Sequence, residues 1–163
     1  MNINNNVTNL QQYIEGLCRR HKSILHTDRE KHFFKGGIED FFIGLRNKVR
    51  FPAIVFDGFE LVYSGSGDDI DKEREFAFIV VQEYDRLNNV DQIEAAKSDC
   101  ERIGEDFFNK ILEDIDNSTC MFDFSFATGI VMENVNERYT GIQFTCVLTS
   151  KYNTEVNNTV WEP

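Results

Sequence analysis

The chain has 163 residues, 41% of them hydrophobic with fifteen Phe, and a formal charge of −11. That length fits one domain, and the apolar content suffices for a core at this size. A net negative surface repels phosphate backbones, which disfavours nucleic-acid binding, and with it sequence readout, by the whole fold and leaves Arg19, Arg20, Lys22, Lys48 and Arg50 as candidates for a local basic patch. No apolar run approaches the roughly 18–20 residues of a membrane span.

The opening MNINNNVTN lacks a positive start followed by an apolar stretch, so no secretory signal is expected. Val7, Leu10, Ile14, Leu17, Cys18 and Ile24 recur at helical period and predict a first helix from Val7 to Leu25, with Asn6 or Thr8 as its cap. Residues His26 to Lys35 are charged and read as a loop. Ile38, Phe41, Phe42 and Leu45 then predict a short helix, followed by the basic hinge Arg46–Arg50 and an apolar strand over Phe51–Tyr63. Pro52 fits the entry of a strand but not its middle.

The stretch Ser64–Lys72, SGSGDDIDK, reads as a loop with little to bury. Glu75–Tyr84 is apolar on both faces, as in a central strand, and pairs with the preceding strand as a hairpin. Asn89 or Asp91 opens the strongest helix, which runs to about Asp116 with the stripe Ile93, Ala96, Cys100, Ile103, Phe107, Ile111 and Ile115. Met121–Met132 and Gly141–Lys151 alternate as a second strand pair, with Gly129 marking a bulge or a close approach. The tail from Asn153 to Pro163 is polar until Val160-Trp161. The expectation is a single α+β domain over 1–152 with the order α-(α)-β-β-α-β-β. It has a four-stranded, mostly antiparallel sheet, a long helix packed on it, and a C-terminal tail over 153–163.

No constellation of residues points to catalysis, so the chain is not expected to be an enzyme. Cys18, Cys100, Cys120 and Cys146 are widely spaced in apolar patterns and read as buried free thiols. His21, His26 and His32 lack the i, i+4 spacing of a zinc site. The carboxylates after Gly67 lack the Gly and Glu positions of an EF-hand loop. Gly65-Ser66-Gly67 is not followed by Lys-Ser/Thr and a helix, so it is no phosphate loop. Neither cofactor nor metal is expected. The partner-binding candidates are instead Asp68, Asp69 and Asp71 in the acidic loop, Lys48 and Arg50 in the basic hinge, and Trp161 in the tail. The Phe pairs at 33/34, 41/42 and 107/108 suggest surplus apolar surface for a neighbour.

An N-terminal helix, a hairpin, a long helix and a second hairpin with a charged tail resembles the tail-terminator and tail-completion proteins of tailed bacteriophages and related injection machines. The stretch HFFKGGIEDFFIGLRNKVRFPAIVFD is also similar to small Bacteroidetes proteins of unknown function that share its FF, GLR and FPA elements. The first resemblance implies a non-catalytic structural protein that forms a homo-oligomeric ring, usually hexameric, on a tail tube or at the neck. It also implies assembly in the cytoplasm and residence in a virion or phage-like particle. The different class weighed beside it is a monomeric or dimeric small-molecule-binding or regulatory α+β domain, with its pocket between the sheet and the long helix.

Overall fold

Asn6 starts the first helix, α1 (Val7–Arg20), by accepting the backbone N–H groups of Thr8 at 3.0 Å and Asn9 at 3.4 Å on its side-chain oxygen. The computed structural model describes residues 6–38, 41, 49–85, 89–115, 120–134, 138–155 and 159–160. Leu10, Tyr13, Ile14, Leu17 and Cys18 form the buried face of α1. The helix stops five residues short of the expected Leu25. His21 turns to extended backbone (ψ 123°), its ring Nδ1 accepts the Ser23 N–H, and Leu25 takes a positive φ of 51°. Ile24 is buried all the same; it reaches the core from a turn, so its helical spacing is misleading.

The second helix, α2 (Val90–Ile115), is capped by Asn89, whose side chain accepts the Gln92 N–H at 3.2 Å. It buries Ala96, Cys100, Ile103, Gly104, Phe107 and Ile111, the middle of the expected stripe with Gly104 added; Ile93 and Ile115 at its two ends are half-buried. Tyr13 ties the two helices together by donating its hydroxyl to Asp114 at 2.9 Å. Burial and that bond hold the Tyr13 phenol well above its usual pKa.

The α+β class is as expected, but the sheet has five strands and is mixed. They are β1 (Lys31–Lys35), β2 (Val49–Ser66), β3 (Asp69–Glu83), β4 (Cys120–Asn134) and β5 (Tyr139–Lys151), in spatial order β1-β2-β3-β5-β4. β1 is parallel to β2, and every other neighbouring pair is antiparallel. The strand β1 corrects the expected loop over His26–Lys35. Its Phe33 enters the helix-side core while Phe34 packs on the opposite face, as strand alternation requires. Five residues with Lys at both ends offer too short a pattern to stand out. Between Lys31 and Phe33 the register to β2 slips, and there His32 Nδ1 donates to the Pro52 carbonyl at 2.8 Å. Pro52, behind a cis bond from Phe51, thus lies inside β2 at an irregularity where a missing N–H is tolerated.

The expected loop Ser64–Lys72 is also corrected. The β2–β3 ladder continues to the pair Ser66 and Asp69, leaving only Gly67-Asp68 at the turn. The glycines serve the hairpin geometry itself. Gly65 and Gly67 have φ of 113° and 62°, and a Cβ on Gly65 would collide with the Asp69 carbonyl oxygen. On β4 the ladder to β5 is irregular between Asp123 and Thr128, next to Gly129. Of the expected short helix, Ile38 and Phe41 are helical and the Phe41 N–H bonds the Gly37 carbonyl at 3.1 Å; its remaining residues lie outside the described set.

The two faces of the sheet are covered unequally. Ile54, Phe56, Phe76, Phe78, Val80, Ile142, Phe144, Cys146 and Leu148 face α1 and α2 and form the main core. On the other face Ala53, Val55, Ile79 and Val81 lie beneath Phe41, with Phe34, Ile38, Val49, Phe51, Met132 and Tyr139 around them. β3 is therefore central and apolar on both sides, as its sequence suggested.

Helix and sheet come closest at Gly104. A Cβ on this residue would overlap three ring atoms of Phe144, which stacks on Phe78 at 5.2 Å and meets Phe108 edge-on at 5.3 Å. Replacing Gly104 by Ala improves intrinsic helix propensity by about 1 kcal/mol. Overpacking against a ring held on several sides outweighs that gain, so Gly104→Ala is expected to lose about 1–3 kcal/mol of unfolding free energy in urea titrations. Adding Phe144→Leu is expected to recover part of the loss. A Gly104→Ala protein more stable than wild type contradicts the packing.

Candidate interaction surface

Backbone direction alternates along a strand, so one hydrogen bond fixes which residues face which neighbour. The Tyr152 N–H bonds the Ile70 carbonyl, and the Tyr84 N–H bonds the Arg138 carbonyl. Even-numbered residues of β3 therefore bond β5, and odd-numbered ones bond β2. By the register, Glu60, Val62 and Ser64 of β2 point their main-chain groups at β3. Leu61, Tyr63 and Gly65 point theirs outward. The Gly36 N–H to Phe56 carbonyl bond at 3.1 Å agrees, since Phe56 is an outward residue that meets β1.

β1 covers this outward side only as far as the pair Lys35 and Phe56. From Gly58 to Ser66, β2 has no strand on its outer side among the described residues. β4 is the opposite edge of the sheet, and by the same parity Gly129 and Val131 point their main-chain groups away from β5. Both edges carry exposed apolar side chains: Leu61, Val62 and Tyr63 on β2, and Met121, Ile130 and Val131 on β4.

Charge separates by face on the uncovered part of the β2–β3 hairpin. Glu60 lies directly across from Glu75, Val62 from Glu73, and Ser64 from Asp71, all on the face opposite α1 and α2. The helix-side face has Leu61 across from Arg74 and Tyr63 across from Lys72. Arg74 is buried, and burial lowers the pKa of both cations.

Of the candidate residues, Asp69 and Asp71 are brought together on β3, where Lys151 Nζ pairs with Asp69 at 2.6 Å and Asp71 at 2.9 Å. They are ladder residues with a cation between them and not part of a loose acidic loop. Lys151 lowers the pKa of Asp69 through its hydrogen bond and charge. Asp68 sits exposed at the turn. Arg50 is exposed at the other end of β2, roughly 50 Å of strand away at about 3.3 Å per residue. Lys48 and Trp161 lie outside the described residues. Among the described residues the Phe pairs supply little free surface: Phe33 and Phe34 pack on opposite faces, Phe41 and Phe107 are buried, and Phe108 packs against the core; Phe42 lies outside the described residues.

The four thiols are buried and free. Burial raises the pKa of Cys18, Cys100 and Cys146, with Cys100 pushed up to about 12, so these thiols are protonated at neutral pH and poor nucleophiles. His21 Nε2 lies 3.1 Å from Asp106, an exposed pair beside the Phe107 ring. Among the described residues no His, Cys, Asp and Glu side chains converge in threes as a metal set, and no helix is long and apolar enough to cross a membrane. A groove of about 560 Å³ lies between α1 and β1, lined by Glu15, Arg19, His26, Asp28, Lys31 and Lys35 with the two Phe. Its charges are largely satisfied within it: Arg19 pairs with Glu15 at 2.8 Å and with Asp28 at 2.9 Å. Between the middle of α2 and the sheet the space is filled by Phe78, Phe107, Phe108 and Phe144, while an open pocket of about 240 Å³ lies between the N-terminal half of α2 and the end of β3, lined by Gln82, Glu83, Tyr84, Gln92, Ala96 and Asp99.

Comparison of the sequence with protein-family models and with curated proteins gives no match. The open edges and the facing carboxylates were missed in the sequence because both depend on register. The one signal available was the run Leu61-Val62-Tyr63, apolar on consecutive residues, which no half-covered strand needs.

His26 supplies a pH-dependent element in the groove between α1 and β1. Its Nδ1 accepts the His32 N–H at 3.0 Å, so its own proton sits on Nε2, which faces Glu15 at 3.7 Å. Burial, then the charge of Arg19, lowers its pKa; Glu15 and Asp28 oppose this and His32 adds to it. The native state thus favours neutral His26, whereas the unfolded chain takes up the proton near pH 6.5. The stabilisation is present above that pH and is lost as the pH falls through it toward the lower native value. Urea titrations from pH 7.5 to 5 are expected to fall more steeply for wild type than for His26→Gln; equal slopes contradict the assignment.

Proposed function

We propose that this chain is a non-catalytic assembly protein that works by docking on other protein chains, copies of itself included. The observation that carries this reading is the pair of open strand edges on opposite sides of one sheet. An edge presents unpaired N–H and C=O groups, and natural proteins ordinarily blunt such edges with charge, Pro or cover. Here β4 is irregular between Asp123 and Thr128 but presents Met121, Ile130 and Val131 as exposed apolar side chains, which suits the addition of another chain. The more specific form is the ring-forming tail-terminator or head–tail joining component that the order of elements resembles, with tail tube or neck proteins as further partners. A head-to-tail contact repeated about one axis closes such a ring, whereas β4 meeting β4 gives a two-fold dimer.

The test is solution mass by light scattering on wild type and two variants. Val131→Pro removes only an outward N–H, which an edge strand tolerates, and Val131→Lys places a charge on the edge. Wild type is expected as a discrete oligomer, and both variants as smaller species with melting temperatures close to wild type. A monomeric wild type at about 100 μM, above typical Kd values for stable assemblies, contradicts self-assembly.

A further inference from the structure

We infer that the open edge of β2, from Gly58 to Ser66, accepts as an added strand a segment of a different protein in which basic residues alternate with apolar ones. This deepens the assembly reading and rests on it, naming the chemistry of one partner. Two independent observations converge. The first is the row of outward main-chain groups at Leu61, Tyr63 and Gly65, beyond the point where β1 ends. The second is the division of charge between the two faces of the hairpin.

On the face opposite α1 and α2, Glu60 and Glu75 are direct cross-strand partners and Glu73 is the next residue on that face of β3. Like charges directly opposite destabilise a sheet. Among the described residues none of the three has an ion-pair partner; Ser64 Oγ donates to Glu73 at 3.3 Å, and the nearby cation Lys151 is engaged by Asp69 and Asp71. A strand added to β2 places one set of its side chains directly beside Glu60, Val62 and Ser64. Lys or Arg there neutralises Glu60 and reaches toward Glu75. The other set falls beside Leu61 and Tyr63. These are exposed apolar side chains, so apolar residues fit there. Tyr63 is 50% exposed and Leu61 38%, and Tyr152 already packs edge-on against the Tyr63 ring at 5.1 Å. The two faces therefore specify both the alternation and its phase. A second copy is a poor occupant: it carries −11 of charge, and its own β2 edge brings Glu60 against Glu60.

The probe is the blocked peptide acetyl-Val-Lys-Tyr-Lys-Val-Lys-Tyr-Lys-Val-amide, labelled for fluorescence anisotropy, beside its counterpart with Glu for every Lys. The Lys peptide is expected to bind at least about tenfold more tightly than the Glu peptide, with affinity falling as salt rises. Amide exchange in the complex is expected to slow at Leu61 and Tyr63 and to stay unchanged at Val62. Glu60→Lys is expected to weaken Lys-peptide binding by about tenfold while raising the melting temperature, because it turns the pair with Glu75 into an attractive one. Equal affinity for the two peptides, protection at Val131 in place of Tyr63, or no binding at millimolar peptide overturns the inference. Mass without peptide is read separately: a monomer that still binds the Lys peptide at β2 contradicts self-assembly and leaves this inference standing. An oligomer that ignores the peptide does the reverse.

Discussion

The ring of Phe144 rests against the bare backbone of Gly104, and this close approach decides where α2 lies on the sheet. Phe144 is itself held between Phe78 beneath and Phe108 beside it, while Phe107 closes on Phe78 at 5.5 Å. A side chain of any size at position 104 separates helix from sheet and loosens every ring in the set. Dense interiors yield little to such a shift, so the cost spreads through the core. With α2 placed there and α1 joined to it through Tyr13 and Asp114, both helices lie on one face of the sheet.

Among the described residues, Phe41 covers the opposite face over Ala53, Val55, Ile79 and Val81, with Ile38 and Phe34 beside it. The hairpin of β2 and β3 runs beyond that cover and beyond the end of β1. Its ladder is complete to Ser66 and Asp69, so its order comes from backbone pairing more than from burial. This arrangement joins a well-packed body to a paired but uncovered arm. A body of that kind keeps an edge straight and in register, which an added strand needs, and leaves its main-chain groups available. The facing carboxylates Glu60 and Glu75 fit the same logic: a repulsion retained on an uncovered arm is relieved when a cation arrives.

The parts that could be read from the sequence are those whose signal is long and self-contained. The α2 stripe needed only its own spacing, and Ala96, Cys100, Ile103, Phe107 and Ile111 are all buried as it implies. The central character of β3 was legible because apolar residues fill both of its faces. By contrast β1 shows five residues whose two Phe serve opposite faces, a pattern that charged neighbours obscure. The Gly-rich stretch after Tyr63 has the composition of a loop, yet its glycines are there to let the ladder turn tightly at Gly67-Asp68. The candidate surface was the least legible. Asp68, Asp69 and Asp71 were visible as an acidic run, but that Asp69 and Asp71 share Lys151 depends on pairing across 82 positions of sequence for the Asp69 contact. That Glu60 faces Glu75 follows from the register between Asp57 and Phe59, where a bulge shifts the pairing by one residue.

The open edge of β2 is tested most directly by residue-resolved amide hydrogen exchange on the free protein. Main-chain direction requires alternation along this stretch: Val62 and Ser64, bonded to β3, exchange slowly, while Leu61 and Tyr63 exchange at rates near those of unprotected peptide. Uniform protection from Glu60 to Ser64 means that something covers the edge, and it contradicts the claim that this strand is free to receive another chain.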